Sequence, residues 1–253
     1  MTSLSELDLS HNTELTYLRC TKNKLTELDV SNNTKLEGLE CYSNKLTSLN
    51  LSKNVALGYL NCRDNLLTAL DVSNNTAIYN LNCGENPLGE LNLSKNTALA
   101  ALYCDGNQLT ELDVTNNKKL EDIACYRNSI RGAAITRFFN SLPEPESGTL
   151  LFYYTWDERE NNTQPTTVQL KTAQDKHWSV RQWSVDYWAS AASVIRRGDA
   201  NGDGEINALD VDCLRDYILG LNPTPFSLES ADQDESGTAD IVDLTKLIKY
   251  LTK

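Results

Sequence analysis

The chain has 253 residues, 40% of them hydrophobic and 23% charged, with 35 Asp and Glu against 23 Lys and Arg and a formal net charge of −12. That length accommodates one large domain or two ordinary ones with a sizeable core, and the acidity argues against nucleic acid or an anionic membrane as partner. No run approaches the ~18 apolar residues of a membrane span, and the opening MTSLSELDLS lacks the basic and apolar regions of a signal peptide. These facts describe either a cytosolic protein or the mature part of a secreted one. The charge is uneven, because residues 197–253 carry twelve acidic and five basic side chains and so supply −7 of the −12.

The chain enters at LSELDLSHN in mid-repeat, without a distinct cap, which leaves open an expectation of further chain upstream. Cysteines then recur at 20, 41, 62, 83, 104 and 125, a spacing of 21. Asparagines keep the same step at 23, 44, 65, 86, 107 and 128, and again at 12, 33, 54, 75, 96 and 117. A period in this range marks a solenoid or array. Each unit reads as residues 36–46 do, LEGLECYSNKL, the pattern Leu-x-x-Leu-x-Cys-x-x-Asn-x-Leu. On these six units, residues 15–130 resemble a leucine-rich repeat protein.

The alternation places Leu39 and Cys41 on one face of a short strand and Gly38, Glu40 and Tyr42 on the other. Strands stacked in parallel bury columns of Leu and Cys that no single repeat could bury alone. The asparagine column is expected to satisfy backbone groups where the chain leaves the strand. A 21-residue unit has no room for a long helix, so the convex side is expected to be short extended or 3₁₀ segments. In-register parallel strands give a poor disulfide geometry, and no histidine or carboxylate stands at these positions to make a metal ladder. The six cysteines therefore read as buried small hydrophobes; in a secreted protein, such free thiols point to burial or an anaerobic habitat.

After residue 130 the period lapses. GAAITRFFNSLP, 132–143, has apolar residues at helical spacing before Pro143, and TLLFYYTW reads as a strand. TTVQLKTAQDK, 166–176, and HWSVRQWSV, 177–185, repeat the helix-then-strand order. Two such units read as a cap over the open end of the solenoid, although the tryptophans at 156, 178, 183 and 188 could instead form a ligand platform.

Residues 199–210, DANGDGEINALD, place Asp199, Asn201, Asp203, Asn207 and Asp210 at positions 1, 3, 5, 9 and 12, with Gly204 at 6 and the Glu205 carbonyl at 7. That spacing wraps the chain around a hard cation that takes six or seven oxygens, and the glycine permits the sharp turn. Thirty-three residues on, DQDESGTADIVD, 232–243, repeats it with Asp232, Asp234, Ser236, the Thr238 carbonyl, Asp240 and Asp243. Each loop leads into an amphipathic helix, but neither has the entering helix of a complete EF-hand, and two prolines precede Asp232. This duplicated loop and exiting helix is similar to the type I dockerin family over 197–253. The resemblance implies a small all-α module folded around two Ca²⁺ that docks onto a cohesin domain of a scaffoldin, as in cellulosomes, complexes for polysaccharide degradation. By position, it assigns cohesin contacts to Ala208, Leu209, Arg215 and Asp216 in one half and to Ile241, Val242, Ile248 and Lys249 in the other. The apolar pairs differ between halves, so one half is expected to dominate the docking.

The sequence thus divides into a repeat solenoid at 1–130, an α/β cap at 131–188, a linker at 189–196 and the dockerin-like module at 197–253. The expected fold is an α/β leucine-rich repeat solenoid with a parallel sheet, followed by an all-α domain with two EF-hand-like calcium loops. Its exposed strand face would carry Tyr17, Arg19, Thr21, Glu40, Tyr42, Tyr59, Asn61, Arg63, Asn82, Tyr103, Asp105, Asp122 and Tyr126, side chains suited to a protein or carbohydrate ligand.

The leading expectation is a non-catalytic, secreted binding protein held at a scaffold or cell surface. Alternatives are an accessory part of a larger cellulosomal enzyme whose catalytic region lies elsewhere, an inert spacer, or a calcium-switched sensor. Catalysis within this chain is not expected. Its histidines are His11 and His177, and the carboxylates Glu144, Glu146, Glu158 and Glu160 lie on turns and polar loops.

Overall fold

The structure, a computed structural model, describes residues 3–154, 162–183, 208–219 and 241–251. Three-residue strands recur every 21 residues: β1 (Tyr17–Arg19), β2 (Gly38–Glu40), β3 (Tyr59–Asn61), β4 (Asn80–Asn82), β5 (Ala101–Tyr103) and β6 (Asp122–Ala124). Neighbours pair in parallel and in register, Leu18 opposite Leu39, Leu39 opposite Leu60, and so on to Ile123. Because the register repeats with the sequence period, equivalent side chains stack in columns. The columns of Leu39, Leu60, Leu81 and Leu102, of Leu36, Leu57, Ile78 and Leu99, and of Leu46, Leu67, Leu88 and Leu109 are fully buried.

The cysteines form a further core column and are free thiols. Burial pushes the Cys20 thiol up to about 11 and the Cys83 thiol to about 12, and it drives those of Cys41, Cys62 and Cys104 well above the usual range. Unionised and enclosed, they pack as small apolar groups.

Asparagines close the backbone where it leaves the sheet. Asn65 donates through Nδ2 to the carbonyls of Cys41 and Cys62, at 3.1 and 3.0 Å, while its Oδ1 accepts the Leu46 N–H at 3.0 Å. Asn44, Asn86, Asn107 and Asn128 repeat this arrangement. The second asparagine series works on the convex side, where Asn54 donates to the carbonyls of Val30 and Asn33 at 3.0 and 2.8 Å.

The convex side itself is built of turns, where 3₁₀ segments were one expectation. The Asn54 N–H bonds the Leu51 carbonyl at 2.9 Å and the Leu57 N–H bonds the Asn54 carbonyl at 3.1 Å. Those two turns share one residue and do not overlap as a 3₁₀ helix requires. A carboxylate or carboxamide two residues ahead starts each bend, as when the Ser31 N–H bonds Asp29 Oδ1 at 2.8 Å and the Ser52 N–H bonds Asn50 Oδ1 at 3.1 Å.

The expected cap has its predicted elements: α1 (Ala133–Ser141), β7 (Gly148–Tyr154), α2 (Thr167–Asp175) and β8 (Trp178–Trp183). β7 and β8 extend the same parallel sheet to eight strands. α1 buries Phe138 and Phe139, whose rings lie 5.4 and 5.3 Å from that of Phe152 on β7. Lys176 Nζ holds the carbonyls of Asn140 and Leu142 at the end of α1, at 2.6 and 2.8 Å. α2 opens with a reciprocal cap, the Thr166 N–H on Gln169 Oε1 and the Gln169 N–H on Thr166 Oγ1. Asn162, off the 21-residue period, carries the asparagine ladder into the cap: its Oδ1 accepts the Ile130 N–H and its Nδ2 serves the carbonyls of Cys125 and Phe152, each at 2.9 Å.

Towards the C-terminus, α3 (Ala208–Ile218) and α4 (Ile241–Leu251) pack around buried Cys213, Leu214 and Leu247, with Val211, Ile218 and Leu244 at the margin. Cys213 is accordingly a packed core residue. The chain forms two compact units, Met1–Thr163 with Thr172–Ser190, and Gln164–Lys171 with Ala191–Lys253.

Candidate functional site

The strand positions flanking each core leucine face the concave surface, and their side chains organise into two ion-bonded groups with a tyrosine-rich strip. On β1 and β2, the Tyr17 hydroxyl donates to the Glu40 carboxylate, and Arg19 Nε stands 3.7 Å from Glu40 Oε2. The bond to Glu40 pushes the Tyr17 phenol up to about 12. Thr21 and Arg19, hydrogen-bonded to Tyr42, lower its phenol.

The second group spans four repeats. Arg63 holds Asp105 with both arms of its guanidinium, Nη1 to Oδ1 at 2.9 Å and Nη2 to Oδ2 at 3.0 Å. Arg127 reaches the same carboxylate at 3.3 Å and also bonds Glu85. A Cβ on Gly84 would fall 2.9 Å from Asp105 Oδ1, so the absent side chain leaves the path by which Arg63 crosses that repeat. Gly106, at φ +65°, leaves room for Glu85, whose Oε2 would lie 2.8 Å from a Cβ there. Arg127 also lies over the Tyr126 ring, 5.2 Å from its centroid. Burial, then the Asp105 charge, raises the Tyr126 phenol, and burial followed by its bond to Asp122 takes the Tyr103 phenol to about 12.

The sequence placed Asp105 on the exposed face. The structure corrects this, since Asp105 is 2% exposed beneath two guanidinium groups. Two partners escaped sequence reasoning, Glu85 and Arg127. Both occupy the left-handed column two residues after each cysteine, at φ 50° and 52°, past the strand alternation from which the exposed face was read. Tyr79 was also missed. It stands one residue ahead of the strand, 54% exposed, with its ring against Gly58, and the signal that could have found it is the glycine at the equivalent place in the preceding repeat. The tryptophan-platform alternative fails at Trp178, which is buried with its indole N–H on the Pro143 carbonyl at 2.7 Å. Trp156 and Trp188 lie outside the described residues, and so does the side chain of Trp183.

His177 bonds the Pro145 carbonyl through Nδ1 at 3.0 Å, a cap contact, and His11 Nδ1 meets Ser10 Oγ at 2.9 Å. Among the described residues no three His, Cys, Asp or Glu side chains converge as metal ligands, and no helix is long and apolar enough to cross a membrane.

Of the proposed calcium ligands, Asp199, Asn201, Asp203, Glu205, Asn207, Asp232, Asp234, Ser236, Thr238 and Asp240 lie outside the described residues, as do the side chains of Asp210 and Asp243. The donor set is all oxygen, which suits a hard cation. What the structure does place is the exit from each loop. Helices α3 and α4 both begin at loop position 10, at residues 208 and 241, and both run eleven residues. Ala208 and Leu209 therefore open one helix as Ile241 and Val242 open the other. Arg215 is exposed and paired with Asp212 at 2.5 Å, while Ile248 and Lys249 are exposed at the equivalent turn of α4.

Residues 197–252 match the model of the dockerin type I domain. The chain is a leucine-rich repeat solenoid followed by a dockerin. Among solved structures it is similar to an internalin, InlF, of Listeria monocytogenes, at 21% identity and a TM-score of 0.60, over 76% of this chain and 56% of that one. A leucine-rich repeat protein of Leptospira interrogans matches at 22% identity and a TM-score of 0.54, over 70% and 44%. The functional domain of InlJ from Listeria monocytogenes, described as including a cysteine ladder, matches at 35% identity and a TM-score of 0.47, over 64% and 38%. The chain thus spans 38% to 56% of the length of these chains. No curated protein matches it. Leucine-rich repeats and dockerins are non-catalytic modules, and dockerin type I domains bind calcium.

Proposed function

We propose that this is a secreted, non-catalytic binding protein. Its dockerin, with two bound Ca²⁺, docks onto a cohesin of a scaffoldin, and its repeat face holds a protein or carbohydrate ligand. The protein then resides outside the cell or at its surface, attached through the scaffoldin. The observation that carries the reading is the duplication itself: two oxygen-rich loops 33 residues apart, each leading at position 10 into an eleven-residue helix. Such a repeat makes two ion sites of one kind, whose metal binding is coupled to folding of the small module. Asp199, Asn201, Asp203, Asn207 and Asp210, with the Glu205 carbonyl, hold one ion; Asp232, Asp234, Ser236, Asp240 and Asp243, with the Thr238 carbonyl, hold the other.

The cohesin is met by Ala208, Leu209, Arg215 and Asp216 on α3 and by Ile241, Val242, Ile248 and Lys249 on α4, within a dockerin that we delimit at 197–253. The solenoid runs over 1–130 with its cap at 131–188, and 189–196 joins them. On the repeat face the ligand meets Tyr17, Arg19, Glu40, Tyr42, Tyr59, Arg63, Tyr103 and Tyr126. A panel of cohesins probed with the full chain, with and without calcium, tests the docking. At least one cohesin binds in calcium and releases in EDTA; binding that ignores EDTA, or none across the panel, overturns it.

A further inference from the structure

We infer that the concave face binds a neutral, linear glycan laid along the solenoid axis across β1 to β4, on a row formed by Tyr17, Tyr59 and Tyr79. This rests on the reading of that face as a ligand-binding surface and specifies its ligand.

Two of the three rings are seated on glycines. A Cβ on Gly38 would fall 2.6 Å from Tyr17 Cε2, and one on Gly58 would fall 3.0 Å from Tyr79 Cε1. Each ring thus rests on the backbone of the neighbouring repeat, yet Tyr17 stays 51% and Tyr79 54% exposed. A ring already held in place loses little rotamer freedom when a ligand covers it. Tyr59 shares the column of Tyr17 and Gly38, and Tyr79 stands one residue off that column. The register Tyr17–Gly38–Tyr59 sets Tyr59 two strand spacings from Tyr17, about 9.5 Å, and Gly58, beneath Tyr79, is its chain neighbour. Tyr17 and Tyr59 therefore line up across the strands, in the direction an extended chain would run, with the Tyr79 ring over the residue next to Tyr59.

The chemistry around the row fixes the class of ligand. The strand positions beside the rings are Gly38, Glu40, Asn61 and Asn80. They are a glycine and polar side chains, with no apolar pocket of the kind that receives a protein side-chain anchor, and Asn61 and Asn80 offer carboxamides to hydroxyl groups. Glu40 is engaged by Tyr17 and Arg19, and the charges on the C-terminal side are engaged with one another through Arg63, Asp105 and Arg127. A charged ligand would have to compete with these pairs, and an anionic one would also meet exposed Glu37. A neutral polyol with alternating C–H faces and hydroxyls needs neither change and matches rings that are apolar in body and polar at the tip.

The test is affinity electrophoresis of the full chain in gels containing hydroxyethylcellulose, galactomannan or xylan, against carboxymethylcellulose and glycol chitosan as charged polymers. At least one neutral polymer is expected to retard the protein. Tyr17→Ala, Tyr59→Ala and Tyr79→Ala each weaken retardation about tenfold, and Tyr79→Phe stays within about twofold because stacking survives. These side chains lie at the surface, and an unchanged thermal transition confirms that the variants fold. Cohesin binding by the same preparations stays unchanged. Retardation by no neutral polymer overturns the inference, as does retardation that the three Tyr→Ala changes leave intact. Retardation by charged polymers alone, lost in Tyr59→Ala, overturns the neutral class while the face stands as a binding surface. Loss of cohesin binding with retardation intact strikes only the docking.

Discussion

Arg63 grips Asp105 across an entire intervening repeat, its hydrogen bonds at 2.9 and 3.0 Å, and a Cβ on Gly84 would collide with its Nη1. Residues 42 apart in sequence are two strands apart in space, and the missing Gly84 side chain is what connects them. Asp105→Ala leaves Arg127, 8% exposed, without that carboxylate, and is expected to cost about 3 kcal/mol. Gly84→Leu, which removes no charge, should lower stability in the same direction by displacing Arg63. Urea unfolding of both variants, followed by circular dichroism, checks the pair; a change below ~0.5 kcal/mol in both would refute the role given to Gly84.

The asparagine ladder makes a separate demand. Asn86 bonds the carbonyls of Cys62, Cys83 and Gly84 and the Leu67 N–H, all buried. Asn86→Leu keeps the volume and strands those backbone groups, and the expected loss is about 3 kcal/mol or more. Asn50, exposed on the convex side, bonds one N–H at a turn, and Asn50→Ala should cost well under half as much. Comparing the two urea midpoints at equal m-value decides it.

The thiol column gives the repeats a signature in alkali. Unfolded, each thiol titrates near 9.0, whereas folded Cys20 rises to about 11 and Cys83 to about 12, and burial also raises Cys41, Cys62 and Cys104. Above pH 9 the unfolded chain binds fewer protons than the folded one, so stability falls as pH rises, by up to about 1.4 kcal/mol per thiol per pH unit. Below pH 9 the thiols contribute no slope. Cys62→Ala should make the fall between pH 9 and 11 shallower by one thiol's share. An unchanged slope in that variant, from urea titrations at several pH values, would exclude the thiols as its source.

Within the dockerin, Leu214 and Leu247 are the buried centre of the helix pair. Leu247→Ala is expected to cost about 3 kcal/mol and to raise the calcium concentration needed for folding, because metal binding and folding are linked there. EDTA should remove the ellipticity of the last 57 residues and leave the repeat transition in place. Loss of both transitions together in EDTA would contradict that linkage.

How legible was all this in the chain of letters? Strands, core columns and asparagine bonds repeat six times, so each repeat votes for the same answer and chance alternatives cancel. Asn162 escaped because it performs the ladder's task from off the period, in a loop that no spacing rule reaches. Asp105 misled because alternation fixes which face a side chain takes and says nothing of what lies over it; its burial depends on Arg63 and Arg127, whose reach is a matter of side-chain geometry. The convex side was read as short extended or 3₁₀ segments because a 21-residue unit has no room for a long helix, and length alone does not separate a 3₁₀ bend from the separate turns that Asp29 and Asn50 start. The dockerin stood out most clearly, since the oxygen-rich spacing of its duplicated segment is written directly in residue types, and residues 197–252 match the dockerin type I model.

The sheet does not end with the last repeat. Its final two strands pair over six register positions, where each repeat strand pairs over three. The dockerin follows β8 in the chain, and β8 with β7 makes the most extensive pairing of the sheet. In a chain held by its dockerin, tension would load the six-position pairing of β8 with β7 before any three-position pairing between repeats.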